Sequence, residues 1–284
     1  MKTTLFSLTI AAWSVLAAVP SALAQQANEA EPVTQVIIEQ NILSFSQPIR
    51  LLNLYQAAEL APNAYWPSSR LISAEQNKKL NQRRSYVLGQ LSELEQSAII
   101  EGDDALAQAA AAYAEQLPSW PLIGAERVGL TKVDDRLEVQ SGVKVERPSL
   151  YSTFNDAAAN LQANPQLPSG TLQLLPPKNL GAWQVTVVSP LGVQRVPFNS
   201  DDTVRGILKD AGVFAADYDV AEVTLISLTG LSTRTTVAYY NDAKAMPPVH
   251  GIIFVDLDVS AMDAKWQRIN AQLGALLSYW NPQS

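Results

Sequence analysis

His250 is the only histidine in the 284 residues, and there is no cysteine. A thiol nucleophile and thiolate metal ligation are therefore excluded, and any general-base role for histidine falls to one imidazole. That imidazole sits in a turn just ahead of the apolar run Ile252-Ile253-Phe254-Val255, a setting that suits a surface or hydrogen-bonded structural role. Carboxylates occur as neighbours in Asp103-Asp104, Asp134-Asp135 and Asp201-Asp202. Adjacent residues on a helix point about 100° apart, so such pairs do not face one another as acid and base. Caps and turns account for all three. Neither G-x-S-x-G, a phosphate loop nor a dinucleotide fingerprint occurs, and Gly-x-Gly is missing altogether. The residues assign no catalytic group, no cofactor and no metal, and the chain reads as a non-enzyme.

Binding chemistry is better supplied. Trp66, Trp120, Trp183 and Trp266, with Tyr151, Tyr239 and Tyr240, offer rings that either stack on sugar faces or fill small cores. The chain is acidic, with 20 Lys and Arg against 27 Asp and Glu and a net charge of −7. That balance argues against a nucleic-acid partner. Lys78, Lys79, Arg83 and Arg84 form the one basic cluster, at spacings that put them on the solvated side of a helix.

The elements that position these groups begin after an export signal. Lys2 supplies a positive start, Leu5 to Val19 an apolar stretch, and Ala22-Leu23-Ala24 a small-x-small cleavage site. Residues 1–24 are read as a signal peptide, so the mature chain starts at Gln25. The absence of cysteine after the site argues against a lipoprotein, and no later run reaches a spanning length. The expected location is periplasmic.

A first domain is expected over 25–177. It opens with strands at Val36-Ile37-Ile38 and Ile42 to Phe45, then a helix through Leu51, Leu54 and Ala58. From 68 to 117 no strand is expected. Ser73 caps one helix with Gln76 at its third position, and Leu80, Val87, Leu91, Leu94 and Ile99 form its stripe. Gly102-Asp103-Asp104 then ends that helix and starts an alanine-rich one, giving a helical hairpin inserted in the domain. Strands are expected again from Trp120 to Val128, at Leu137-Glu138-Val139, and at Thr171 to Leu175.

A second domain, 178–258, repeats the opening grammar. It has strands at Trp183 to Val188 and Val193 to Phe198, then a helix capped by Ser200 and running Thr203 to Ala211. Further strands are expected at Val223 to Leu228, Thr235 to Tyr240 and Ile252 to Val255. The fold class is α+β, with two β-grasp-like domains. Residues 259–284 hold a terminal amphipathic helix. Met262, Trp266, Ile269, Leu273, Leu276 or Leu277, and Trp280 recur at spacings of three and four along one stripe. Such a stripe covers its own domain, a partner or a membrane surface. It is too short and too charged at its start to span a bilayer alone, so pore-like use would require several copies.

The run Ala238-Tyr239-Tyr240-Asn241, with Met246-Pro247 and Gly251 to Val255 before an amphipathic helix, resembles the GfcC family of capsule-biosynthesis proteins. Leu122-Ile123-Gly124-Ala125-Glu126-Arg127 after the helical insert, and Gly170-Thr171-Leu172-Gln173-Leu174, fit the same family. The resemblance implies a periplasmic component of capsule or exopolysaccharide assembly or export, and with the residues read above the expected role is non-enzymatic. The expected partners are polysaccharide or the export machinery, and a homo-oligomer is a further expectation. It also implies a pocket lined by an arginine, for which Arg127 is the matching position. That guanidinium either holds an acidic sugar or carboxylate partner or pairs with Asp134 or Asp135. Glu126 is larger than the family pattern, and 143–168 is longer. The alternative is a stand-alone periplasmic glycan-binding or glycan-modifying protein.

Overall fold

A computed structural model describes residues 33–127, 144–145, 154–215, 220–240 and 242–284. The signal peptide, Asp134-Asp135, Leu137-Glu138-Val139 and Tyr151 lie outside the described residues. Short apolar runs broken by turns give β1 (Thr34–Ile38) and β2 (Asn41–Phe45), followed by α1 (Leu51–Ala57) and β3 (Arg70–Ser73). Two longer helices follow, α2 (Ala74–Glu101) and α3 (Asp104–Gln116), then β4 (Ala125–Arg127), β5 (Lys144–Val145), α4 (Phe154–Ala159) and β6 (Gly170–Leu175). The remainder holds β7 (Gln184–Ser189), β8 (Gly192–Pro197), α5 (Val204–Asp210), β9 (Glu222–Ile226), β10 (Leu231–Thr236), β11 (Ile252–Val255) and α6 (Ile269–Leu277).

The protein is α+β with two sheets, and the sheets share one plan. The first has five strands in the order β2-β1-β6-β3-β4; the second has six, in the order β5-β10-β9-β11-β7-β8. In each, a hairpin leads to a helix, two further strands pair antiparallel, and the last strand enters parallel to the first: β6 beside β1, β11 beside β7. The arrangement is compatible with two β-grasp-like units. Their main difference lies at one turn. Residues 227–230 suffice to join β9 to β10, whereas β3 and β4 are joined by the α2–α3 hairpin. Strand β5, which comes between β4 and β6 in the chain, pairs with β10 and so extends the second sheet.

Three cores result. Val36, Leu51, Leu54, Tyr55, Leu71 and Leu174 close α1 on the first sheet. Val185, Val187, Ile207, Leu208, Ile253 and Val255 close α5 on one face of the second. The opposite face of that sheet, with Val188, Ile226, Ile252 and Phe254, lies under α2, α3 and α6. Because β11 is covered on both faces, all four of its residues are buried, and its sequence reads as an unbroken apolar run. Tyr113 fastens the hairpin by donating its hydroxyl to the Val255 carbonyl at 2.5 Å. Gln116 adds amide bonds to Ser189 O at 3.1 Å and Pro190 O at 3.2 Å.

Local chemistry explains the hairpin. Ser73 Oγ accepts from Gln76 N, Gly102 ends α2 at φ 78°, and Asp103 caps α3 by accepting from Leu106 N. Several expectations shift. Arg70–Ser73 forms a strand between β4 and β6, where no strand was expected; four residues are too few to show a period of two. The α2 stripe ends at Ala98, leaving Ile99 exposed. Thr203 caps α5 in place of Ser200, which donates to Asp201 instead. Strand β10 starts at Leu231 and ends at Thr236, because Gly230 at φ 90° tightens the hairpin and advances the register. The terminal α-helix spans only Ile269–Leu277. Ahead of it, turns held by Gln267 amide bonds to Val259 O and Met262 O lead into a 3-10 turn at Trp266–Arg268.

Candidate functional site

Along β9 and β10, every second residue projects onto the α6 side of the second sheet. Near the middle of that face stand Ile226, Ile252 and Phe254; toward one end the same alternation delivers Thr224, Glu222, Arg234 and Thr236. Asp256, the first residue after β11, completes this polar end. Glu222, Arg234, Thr236 and Asp256 line a cleft of about 360 Å³ bounded by Asp258, Val259, Ser260, Gln267 and Asn270. The cleft's rim is rigid. Buried Asn270 accepts from Leu257 N and donates to Leu257 O, both at 2.8 Å, while Asp258 accepts from Ser260 N at 3.0 Å and Ser260 Oγ at 2.6 Å.

Asp256 is the electrostatic centre. Burial raises its pKa above the usual carboxylate value, with Glu222 adding to the rise; a bond from Thr224 Oγ1 at 2.7 Å and the charge of Arg234 oppose it. Arg234 bridges the two acids, with Nε 2.9 Å from Asp256 Oδ2 and Nη1 3.6 Å from Glu222 Oε2. The shorter contact sets the guanidinium directly against the buried Asp256 carboxyl. Carboxylates, amides and a half-exposed guanidinium in one cleft provide donors and acceptors suited to a hydroxyl-rich ligand. No imidazole lines it, and among the described residues no group of acids and histidines could hold a metal ion.

The residues expected from sequence are distributed elsewhere. Arg127 ends β4 directly opposite Arg70, and its side chain lies outside the described residues. Arg70 is 3% exposed and donates to Pro67 O and Ser69 O in its own segment and to Leu228 O beyond β9, joining the two sheets. It lines, with His250, Ser278 and Trp280, a seam cavity of about 20 Å³, the size of a single water. Desolvation lowers the His250 pKa, which keeps the imidazole neutral at neutral pH. Trp266, Ile269, Leu273 and Leu277 are buried in the core under the second sheet, and Trp280 is partly buried against it. Among the rings proposed for stacking, Trp66, Trp120 and Trp266 are buried, whereas Trp183, Tyr239 and Tyr240 are exposed.

Sequence reasoning missed Glu222, Arg234 and Asp256. Their alternation with apolar residues was visible, but only the register of β9, β10 and β11 brings them to one cleft.

The model for the N-terminal part of the capsule biosynthesis protein GfcC matches residues 30–145, and the model for its C-terminal part matches residues 192–281. The chain belongs to the GfcC family. The first match contains β1 to β4 of the first sheet, the helical hairpin and β5, and the second contains β8 to α6. No curated protein matches the chain. Membership of this family supports a role in capsule assembly. Among the described residues no helix is long and apolar enough to cross a membrane.

Proposed function

We propose that the protein is a non-enzymatic periplasmic component of capsule or exopolysaccharide assembly or export, acting by binding polysaccharide or a partner in the export machinery. The observation that carries the reading is the match of both halves to one capsule-biosynthesis family. The Asp256 cleft supports a binding role. Its buried carboxyl is engaged by Thr224 and Arg234. The leader, with Lys2, its apolar stretch and Ala22-Leu23-Ala24, supports export to the periplasm with Gln25 as the mature start. In this reading residues 25–177 and 178–258 are the two β-grasp-like domains and 259–284 the terminal segment.

Deleting the gene and measuring cell-surface and released polysaccharide tests the role. Loss of polymer, restored by the intact chain, is the expected result; unchanged polymer refutes it. Fractionation of the same cells should place mature protein starting at Gln25 in osmotic-shock fluid.

A further inference from the structure

On the side of α6 away from the Asp256 cleft, a second groove of about 520 Å³ runs between α2 and the terminal segment. Arg83, Tyr86 and Val87 form one face of α2 at spacings of three and four. Arg268, Ala271, Gln272 and Ala275 answer them at the same spacings. The two alanines keep the groove open. Its size falls in the range of ligand-binding clefts, about 300–1,000 Å³.

Its polar groups are unspent. Lys79 pairs with Glu75 at 2.6 Å, and Arg84 donates to the carbonyls of Pro118 and Trp120. Arg83 and Arg268, in contrast, form no ion pair among the described residues. In a chain of net charge −7, two such guanidiniums on one groove create a local site for anions. Tyr86 is 59% exposed and presents its ring at the same place.

We propose that this groove binds a sugar chain carrying carboxylates, a uronic-acid-containing glycan, by placing carboxylates on Arg83 and Arg268 and a sugar ring against Tyr86. The inference rests on the polysaccharide reading above and gives it a ligand class and a site. Two requirements coincide in that class. A sugar acid offers a carboxylate for a guanidinium and an apolar C–H face for the ring. Inorganic phosphate satisfies the first alone, and a neutral glycan satisfies the second alone.

Titrating the full mature protein with tetragalacturonate, with maltotetraose as the neutral counterpart, tests the proposal. Tetragalacturonate should bind, and more weakly as salt rises. The double variant Arg83→Ala/Arg268→Ala should weaken it by at least about tenfold, and Tyr86→Ala should weaken it by a smaller factor. Both arginines and the tyrosine are exposed, so unchanged thermal unfolding should accompany these losses. Equal affinity for maltotetraose, equal affinity for polyglutamate, or an undiminished double variant overturns the proposal. Binding to phosphatidylglycerol vesicles without binding to the tetrasaccharide overturns it in favour of a membrane surface. If gene deletion abolishes surface polymer yet tetragalacturonate does not bind, the functional reading stands and this inference falls. If deletion leaves the polymer unchanged, the reading fails and the inference with it.

Discussion

Leu273→Ala probes what the terminal helix does. Leu273 is 0% exposed and belongs to the core formed with α2, α3 and the inner face of the second sheet. Immediately after it, a Cβ on Gly274 would lie 3.8 Å from Thr224 Cγ2, so the helix rests directly on β9. With helices on one side and a sheet on the other, the site has little room to collapse around a missing isobutyl group. The cost should therefore fall in the upper part of the range for buried leucines, about 4 kcal/mol. For a chain of this size that lowers Tm by roughly 8–16 °C. Against a total of about 5–15 kcal/mol the variant stays folded but is clearly weakened.

Thermal and urea unfolding of mature protein, with solution mass measured alongside, reads the effect. Ile100→Ala supplies the control, because Ile100 is 84% exposed on α2 and its removal should stay within about 0.5 kcal/mol. A Leu273→Ala loss below about 1 kcal/mol, with a lower solution mass, would refute the reasoning. The helix would then be an interface between copies and not a structural cover.

Asp256→Asn should change the pH dependence of stability. The folded-state pKa is raised, so the folded protein holds the proton more tightly than the unfolded chain. Wild-type stability relative to the variant should then be highest in acid and decline as pH rises through the carboxylate range, levelling off above the raised value. Denaturant unfolding across pH measures this; an increase with pH contradicts the assignment. Gly124→Ala should destabilise by about 1–3 kcal/mol or more, because its Cβ would lie 2.2 Å from Asn77 N in the first turn of α2. Unfolding midpoints check it, and an unchanged value would show that α2 shifts freely. Arg127→Ala should lower polymer secretion without altering Tm if Arg127 holds an anionic ligand. A loss of about 3–5 kcal/mol would mark a buried structural pair instead.

What was legible in the sequence was what short-range physics controls. Ser73, Gly102 and Asp103 announced the helical hairpin because caps and helix stops are local. Ile252–Val255 announced a buried strand through its unbroken apolar run, and the structure shows the cause: both faces are covered, which erases alternation. The doubled plan of hairpin, helix and strands was also readable, since each half repeats the same order of periods. Arg70–Ser73 was not, because a four-residue central strand borrows its identity from β4 and β6. The length of α6 was overestimated for a related reason. Met262 and Trp266 are buried at helical spacing, but they lie on turns and a 3-10 segment before the helix begins. The Asp256 cleft was hidden more deeply, since Glu222, Arg234 and Asp256 meet only through cross-strand register.

The terminal segment narrows where partners can act. Beyond α6, Ile123 N donates to Tyr279 O and Asn281 N to Pro121 O, each at 2.9 Å, around the bridge between Leu122 and Trp280. Gln283 then donates to Ser68 O at 3.1 Å and Pro176 O at 2.9 Å, at the margin of the first sheet. The last residues thus tie the stretch after the hairpin and the edge of the first sheet to a helix that covers the second. Releasing α6 to meet a partner would break these backbone bonds and expose Ile226, Phe254 and the stripes of α2 and α3 together. Each fully buried aliphatic or aromatic side chain is worth about 1.5–3 kcal/mol, so opening only a few of them consumes the stability of an ordinary domain. On the proposed binding role, recognition would fall to surfaces the helix borders while seated: the acidic cleft at Gln267 and Asn270 on one flank, and the arginine groove at Arg268 and Gln272 on the other. A partner that demands a freed terminal helix would have to pull apart both halves of the protein at once.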